Sequence, residues 1–303
     1  MNSPLVSVII PNYNHAHFLD ERIQSVLNQT YQNFEVIILD DKSTDNSVEV
    51  INKYKDNPHV SHIVVNEENS GSPFKQWHKG FGLAKGEWIW IAESDDSCEP
   101  GFLETLTRHI DDNTSFIFCR SKRISFKGEY IEESWQDELK CSFSVDGKQF
   151  IKDYLSRKCI VWNASSVIFR RTYTFQIPQD YTKYRTAGDW LFWIFLSRLG
   201  KVSFINTPLN YFRLHGNNTT QQSFQSGLAE EEKINLYNYL VSRNYISKQC
   251  YKEIRKNDIY RVFIYNTFDK ETTDKILNKW HVSSIERYLI WFKKQYIRMI
   301  NSL

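Results

Sequence analysis

The sequence predicts an α/β fold, a mostly parallel sheet flanked by helices and followed by a helical appendage. Three observations carry that prediction. Apolar strand runs alternate with amphipathic helices over the first hundred residues, polar residues gather just after several of those strands, and strand signals stop near residue 225.

The elements follow in order. LVSVIIP (5–11) is a strand, and Phe18, Leu19, Ile23, Val26 and Leu27 then recur along one helical face. FEVIILDD (34–41) is a buried-strand run, Asp45 to Tyr54 a short helix, and SHIVVN (61–66) a third strand. A helix over about 74–84 precedes the fourth strand, WIWIAES (88–94). Such alternation implies parallel pairing with right-handed crossovers. Glu99-Pro100-Gly101 opens a helix through Ile110, with Pro100 suited to a helix start. SFIFCRS, RISFKG and SSVIFRR read as strands, with a helix near 148–156 before the last. GDWLFWIFLSRLG (188–200) is a helix, and KVSFIN and LNYFRLH read as a pair of strands. The polar stretch GNNTTQQSFQSG sets a domain boundary near 225, giving domains 1–225 and 226–303.

Composition excludes several classes. With 41% hydrophobic and 24% charged residues, the chain is globular rather than disordered. A net charge of +2 gives no reason to expect nucleic acid. The five cysteines form no C-x-x-C pair, which speaks against a zinc site or a disulfide framework and for a reducing cytosol. LVSVII begins a strand with no basic region before it, so no secretory leader is expected, and no apolar run reaches membrane-spanning length. In the segment 283–303, Ile285, Leu289, Phe292, Tyr296, Met299 and Leu303 recur at helical spacing, with Arg287, Lys293, Lys294 and Arg298 between them. Two readings stand for it: a peripheral contact with an anionic membrane, or a helix docked on the catalytic domain.

In an open α/β sheet, ligands bind beyond the carboxyl ends of the strands. The first strand ends in Pro11-Asn12-Tyr13-Asn14, where a dinucleotide-binding domain would carry G-x-G-x-x-G. The chain has no glycine there. Amides and an aromatic ring suit a base or sugar better than a bare pyrophosphate. Tyr13 could stack on a nucleobase and Asp41 accept a base N–H, unless Asp41 only caps the following helix. Glu93, Asp95 and Asp96 crowd the fourth strand end and point to a hard divalent cation bridging phosphates, against the plainer reading of a solvated acidic turn.

PNYNHAHFL, VIILDDKSTDNS, the Asn69-Ser70-Gly71 loop and AKGEWIWIAESDD together resemble a family 2 glycosyltransferase of the GT-A fold. The resemblance is close over about 5–105 and looser from AGDWLFW to LNYFRLHGNN. It implies a metal-dependent, inverting transfer of a sugar from a nucleoside diphosphate donor, by resemblance a UDP-sugar, using Mn²⁺ or Mg²⁺. The acceptor would be a hydroxyl of a saccharide or lipid-linked molecule, in cell-surface polysaccharide synthesis, with the enzyme in the cytoplasm.

By the same resemblance, Pro11, Asn12, Tyr13, Asp41, Asn69 and Asp95 would meet the nucleotide sugar, with Lys75 (or Lys79) on its diphosphate. Asp96 would be the direct metal ligand and His215 would complete that site. Asp189, at a helix start, would be the general base, with helix capping as its alternative. Trp162 and Asn163 would hold the acceptor. Glu93 stands where many members have Asp, which leaves its role open. Two rival classes remain: a nucleotidyltransferase, against which the missing Gly-rich basic loop counts, and a nucleotide- or carbohydrate-binding protein without catalysis.

Overall fold

The computed structural model describes residues 3–131, 138–215, 223, 226–264 and 268–300. The chain divides into two compact units, one of residues 1–155 and 159–215, the other of 156–158 and 216–303. The boundary expected near 225 lies outside the described residues.

In the first unit, β1 (Val6–Asn12), α1 (Ala16–Leu27), β2 (Phe34–Asp40), α2 (Ser47–Asn52), β3 (Val60–Val65), α3 (Pro73–Leu83) and β4 (Trp88–Ile91) alternate as the sequence predicts. β1 pairs in parallel with β2 and β4, and β2 with β3. Every residue of β1, β2 and β4 is buried, which is why these strands read as unbroken apolar runs. α1 packs Leu19, Ile23 and Val26 onto that sheet, and Trp88 and Trp90 are core as their strand setting suggests.

The chain continues through β5 (Ser97–Cys98), α4 (Phe102–Thr107), β6 (Thr114–Ile124), β7 (Tyr130–Ile131) and β8 (Phe143–Asp146). There follow α5 (Gly147–Phe150) with a π-helical turn through Leu155, β9 (Val167–Arg170), α6 (Arg171–Thr174), α7 (Gly188–Ser197) and β10 (Lys201–Arg213). The sheet order is β3-β2-β1-β4-β9-β6-β10-β5, with β7 beside β6 and β8 beside β10. β9 runs antiparallel to β4 and β6, while β6 and β10 are parallel. This is a mixed α/β sheet flanked by helices.

Two strand expectations need correction. KVSFIN and LNYFRLH are not a pair of strands but one long strand, β10. Pro208 has no N–H to give the ladder, and the chain absorbs that with register shifts at Ile205/Pro208 and Pro208/Asn210 rather than a turn. SFIFCRS and the start of RISFKG likewise merge into β6. The consequence is geometric: β6 and β10 deliver Ile124 and Arg213 side by side at the edge where β1, β2 and β4 end.

The described residues of the second unit form α8 (Leu228–Ser242), α9 (Lys248–Ile264), α10 (Lys270–Lys279) and α11 (Ser284–Ile300). Its core includes Ile234, Leu240, Ile254, Ile276, Leu277 and Trp280. Among the described residues, no helix is long and apolar enough to cross a membrane.

Candidate active site

The ends of β1 and β2 are tied into one platform. Both chains leave their strands through a left-handed residue, Asn14 at φ 56° and Lys42 at φ 66°. For Lys that conformation costs about 1–2 kcal/mol, so the surrounding bonds must hold it. Asn14 N–H donates to Ser43 Oγ at 2.9 Å, and Thr44 N–H donates to Asn14 Oδ1 at 2.7 Å. Buried Asn12 donates to Asp40 at 2.8 Å. Tyr13 stands out of this platform 46% exposed, with its ring available for stacking, whereas Pro11 is buried within β1. A side-chain contact from Pro11 to a nucleoside is therefore withdrawn.

Asp41 does not cap the next helix. Its Oδ1 accepts from Asn66 Nδ2 (2.6 Å), Ser70 N–H (2.9 Å) and Gln76 Nε2 (2.7 Å), and its Oδ2 from Ser70 Oγ (2.7 Å). Asn69 donates to the Asp41 carbonyl at 2.9 Å. The carboxylate thus gathers the loop after β3 and the start of α3 against the end of β2. Neither Asn66 nor Gln76 was legible as a site residue. Lys75, on the first turn of α3, is exposed and donates to the Ser70 carbonyl at 2.8 Å. Ser72 Oγ donates to the Tyr184 carbonyl at 2.9 Å, joining this loop to the segment that leads into α7.

At the end of β4 the two neighbouring aspartates part company. Asp95 Oδ2 lies 3.0 Å from His215 Nε2, and ligand atoms of His15, Asp95 and His215 all lie within 4.8 Å of one another. Asp96 is 1% exposed. Its Oδ2 accepts from Asn163 Nδ2 (2.8 Å) and Ser165 Oγ (2.6 Å), and its Oδ1 from Arg213 N–H (3.0 Å). Among the described residues, the cluster that could hold a metal ion therefore contains Asp95 and not Asp96, whose oxygens are spent on the protein's own donors. Asn163 is corrected with it: it is buried against Asp96 and not presented to an acceptor. Trp162, beside it, is 38% exposed.

Charge explains how three acids coexist here. Burial, then the Asp95 charge, pushes Glu93 up to about 8, so it is protonated at neutral pH while Trp77 Nε1–H donates to its Oε1 at 2.9 Å. Burial also raises Asp96, to about 6, with Asp95 adding to the rise. Asp95 goes the other way: burial would raise it, but the His215 hydrogen bond and the two histidines outweigh that and hold it low. Fully buried Arg22 faces the same turn, donating to the Glu93 carbonyl at 2.8 Å and lying 3.9 Å from Asp96. Arg213, also buried, donates to the Asp95 carbonyl at 2.9 Å and to Glu21 at 2.7 Å.

The donor set fits a transition-type divalent cation. Burial lowers the His15 pKa and keeps its imidazole neutral, while Asp95 stays ionised, so a nitrogen lone pair and a carboxylate face one point. Two imidazoles with one carboxylate suit Mn²⁺ better than the all-oxygen preference of Mg²⁺. Asp189 sits at the first turn of α7, half-buried, with its Oδ1 accepting from Trp190 N–H at 2.7 Å. After burial, its charge is the second cause of the raised Cys159 thiol. A cavity of about 420 Å³ between Glu21, Lys122, Tyr130 and Tyr211 is lined by none of Asp41, Asp95 or Asp189.

The model of glycosyl transferase family 2 matches residues 7–174. An uncharacterized glycosyltransferase of Haemophilus influenzae is 25% identical over 99% of this chain and 98% of its own length. The chondroitin synthase of Pasteurella multocida is 27% identical over 87% of this chain, which spans 26% of that larger protein. Among solved structures, Staphylococcus aureus TarS 1–349 in complex with UDP-GlcNAc aligns with a TM-score of 0.68 at 20% identity, over 91% of this chain and 80% of that one. A Pyrobaculum calidifontis mannosyltransferase in complex with GDP-Man and Mn²⁺ aligns at 0.55 and 14% identity, over 98% and 81%.

Proposed function

The chain belongs to glycosyl transferase family 2, and from that premise we propose that it transfers a sugar, with inversion, from a UDP-sugar to a hydroxyl of a saccharide or lipid-linked acceptor. The carrying observation is the convergence of His15, Asp95 and His215 on one edge of the sheet, with Tyr13 and Asp41 at the neighbouring strand ends. The UDP-GlcNAc complex of TarS and the chondroitin synthase support a UDP-sugar and a polysaccharide product. A cytoplasmic setting is part of the same reading.

Tyr13 stacks on the base, and Asp41, through the Oδ2 that among the described residues takes one donor, accepts a base N–H. Asn69 and Ser70 shape the wall beside it, and Lys75 swings from the Ser70 carbonyl to the diphosphate. His15, Asp95 and His215 would hold Mn²⁺, which when bound neutralises charge on the departing diphosphate. Asp96 and Asn163 fix the turn that carries Asp95. Asp189 takes the proton of the acceptor hydroxyl as that oxygen attacks the anomeric carbon from the face opposite the diphosphate, and Trp162 offers the acceptor ring a flat surface.

The test is a screen of nucleotide-sugar donors that reads released nucleoside diphosphate, with and without Mn²⁺. UDP release that depends on both Mn²⁺ and an acceptor is the expected result. Release confined to a GDP-sugar, or unaffected by chelation, would overturn the donor or the metal assignment respectively.

A further inference from the structure

α11 is built inside out for a helix packed on a protein. Its polar side faces its own unit. Arg287 donates to Asp274 and to Asn278, each at 2.8 Å, and Glu286 receives Arg255 at 3.0 and 3.1 Å. Lys293 Nζ lies 4.5 Å from the centroid of the Tyr260 ring. So the helix packs on α9 and α10 of its own unit, through ion pairs.

The apolar side is left in water. Ile285 is 74% exposed, Tyr288 60%, Leu289 61% and Phe292 52%. Their spacing of three, four and seven residues places them on one face. Trp291 flanks them at 46% exposure, and its ring meets Phe292 edge-on at 5.3 Å. Residues 284–300 carry four Lys and Arg against one Glu. The side chains of 296–300 lie outside those described.

We propose that this face of α11 docks on an anionic lipid surface, with the aliphatic and aromatic side chains entering the acyl boundary and the net positive charge of the helix drawing it to the headgroups. Charge decides between the two apolar partners available. An anionic bilayer meets the basic excess with opposite charge, and Tyr and Trp are the side chains best suited to an interface with one wet end. A second copy meeting this helix about a two-fold axis would set the same basic excess against itself. The inference goes beyond the transfer reaction and does not need it: a catalytically silent protein would still bind.

The experiment is vesicle co-sedimentation of the full chain. Vesicles of phosphatidylglycerol and phosphatidylcholine are expected to bind it at least tenfold more tightly than phosphatidylcholine alone, with the difference lost in high salt. Leu289→Asp with Phe292→Asp is expected to lower that binding by tenfold or more. Because both side chains are exposed, the variant should keep its circular dichroism, its melting temperature and its turnover on a soluble acceptor. A second variant, Lys293→Gln with Lys294→Gln, should weaken binding to the anionic vesicles only. Three results would each overturn the proposal: no preference for anionic vesicles, binding unchanged in Leu289→Asp/Phe292→Asp, or a dimer in solution that this variant abolishes while vesicle binding is absent.

Discussion

Asp95 and His215, 120 residues apart in the chain, are joined by a 3.0 Å contact between Oδ2 and Nε2, whereas Asp96 turns to Asn163, Ser165 and the backbone of Arg213. Adjacent carboxylates thus hold separate tasks. Asp95→Asn and His15→Ala should each weaken Mn²⁺ binding at least tenfold with little change in melting temperature. Asp96→Asn should instead lower the melting temperature, since an amide NH₂ would face donors. Mn²⁺ titration by calorimetry beside thermal melts separates the two; an Asp96→Asn protein of normal stability that has lost Mn²⁺ would return the ligand role to Asp96.

Arg22 is the buried counter-charge of the acidic turn, and its guanidinium lies 5.7 Å from the centroid of the Trp90 ring. Removing one partner of a buried ion pair costs about 3–5 kcal/mol, so Arg22→Met should destabilise the first unit by that order. Urea unfolding followed by tryptophan fluorescence measures it.

The Glu93 carboxyl is held near 8, above its ordinary 4.5. A group raised in the folded state contributes stability in full below its unfolded pKa and loses it as pH rises through the folded one. The metal-free protein should therefore lose stability progressively between about pH 4.5 and pH 8, and Glu93→Gln should flatten the melting-temperature profile across that window. The low-held Asp95 acts in the opposite sense and in another window, giving up stability only as pH falls below 3.8. Parallel profiles for wild type and Glu93→Gln would remove Glu93 as the titrating group.

Asp189→Asn should cut kcat by a hundredfold or more and leave UDP affinity and melting temperature near wild type, because general-base catalysis contributes roughly 10²–10⁴-fold. Turnover that survives the change would remove Asp189 from the mechanism.

Gln76→Ala takes one of four donors from Asp41, and Ser70→Ala another. Each should raise the Kd for UDP severalfold by loosening the wall of the base site, with kcat at saturating donor little changed.

Much of this was legible in the sequence, and what was not has a physical reason. Strand ends after 11, 40 and 93 could be read directly, because buried parallel strands are unbroken apolar runs and ligands lie beyond their ends. His15 was missed although NHAHF offers two histidines just past β1: only the folded sheet brings residues 15, 95 and 215 together. The roles of Asp95 and Asp96 come from the family resemblance position by position, and position along the chain does not say which way a side chain leaves a turn. The resemblance places Asn163 among the acceptor contacts, and its true partner, Asp96, lies 67 residues away, where the sequence does not point. KVSFIN and LNYFRLH read as two strands, but an inner strand can carry a proline such as Pro208 at a bulge.

Arg213 bears on when the molecule can come together. Its backbone N–H holds Asp96, its guanidinium holds the Asp95 carbonyl and the carbonyls of Ser125 and Phe126, and His215 lies two residues on. β1, β2 and β3 need only the first 65 residues to pair, so the platform of their strand ends can form early from near neighbours, whereas the turn at 95–96 needs β10. A chain cut short of Arg213 would keep Arg22, Asn163 and Ser165 beside its acids but lack the N–H on Asp96 and the guanidinium on the Asp95 carbonyl, together with His215.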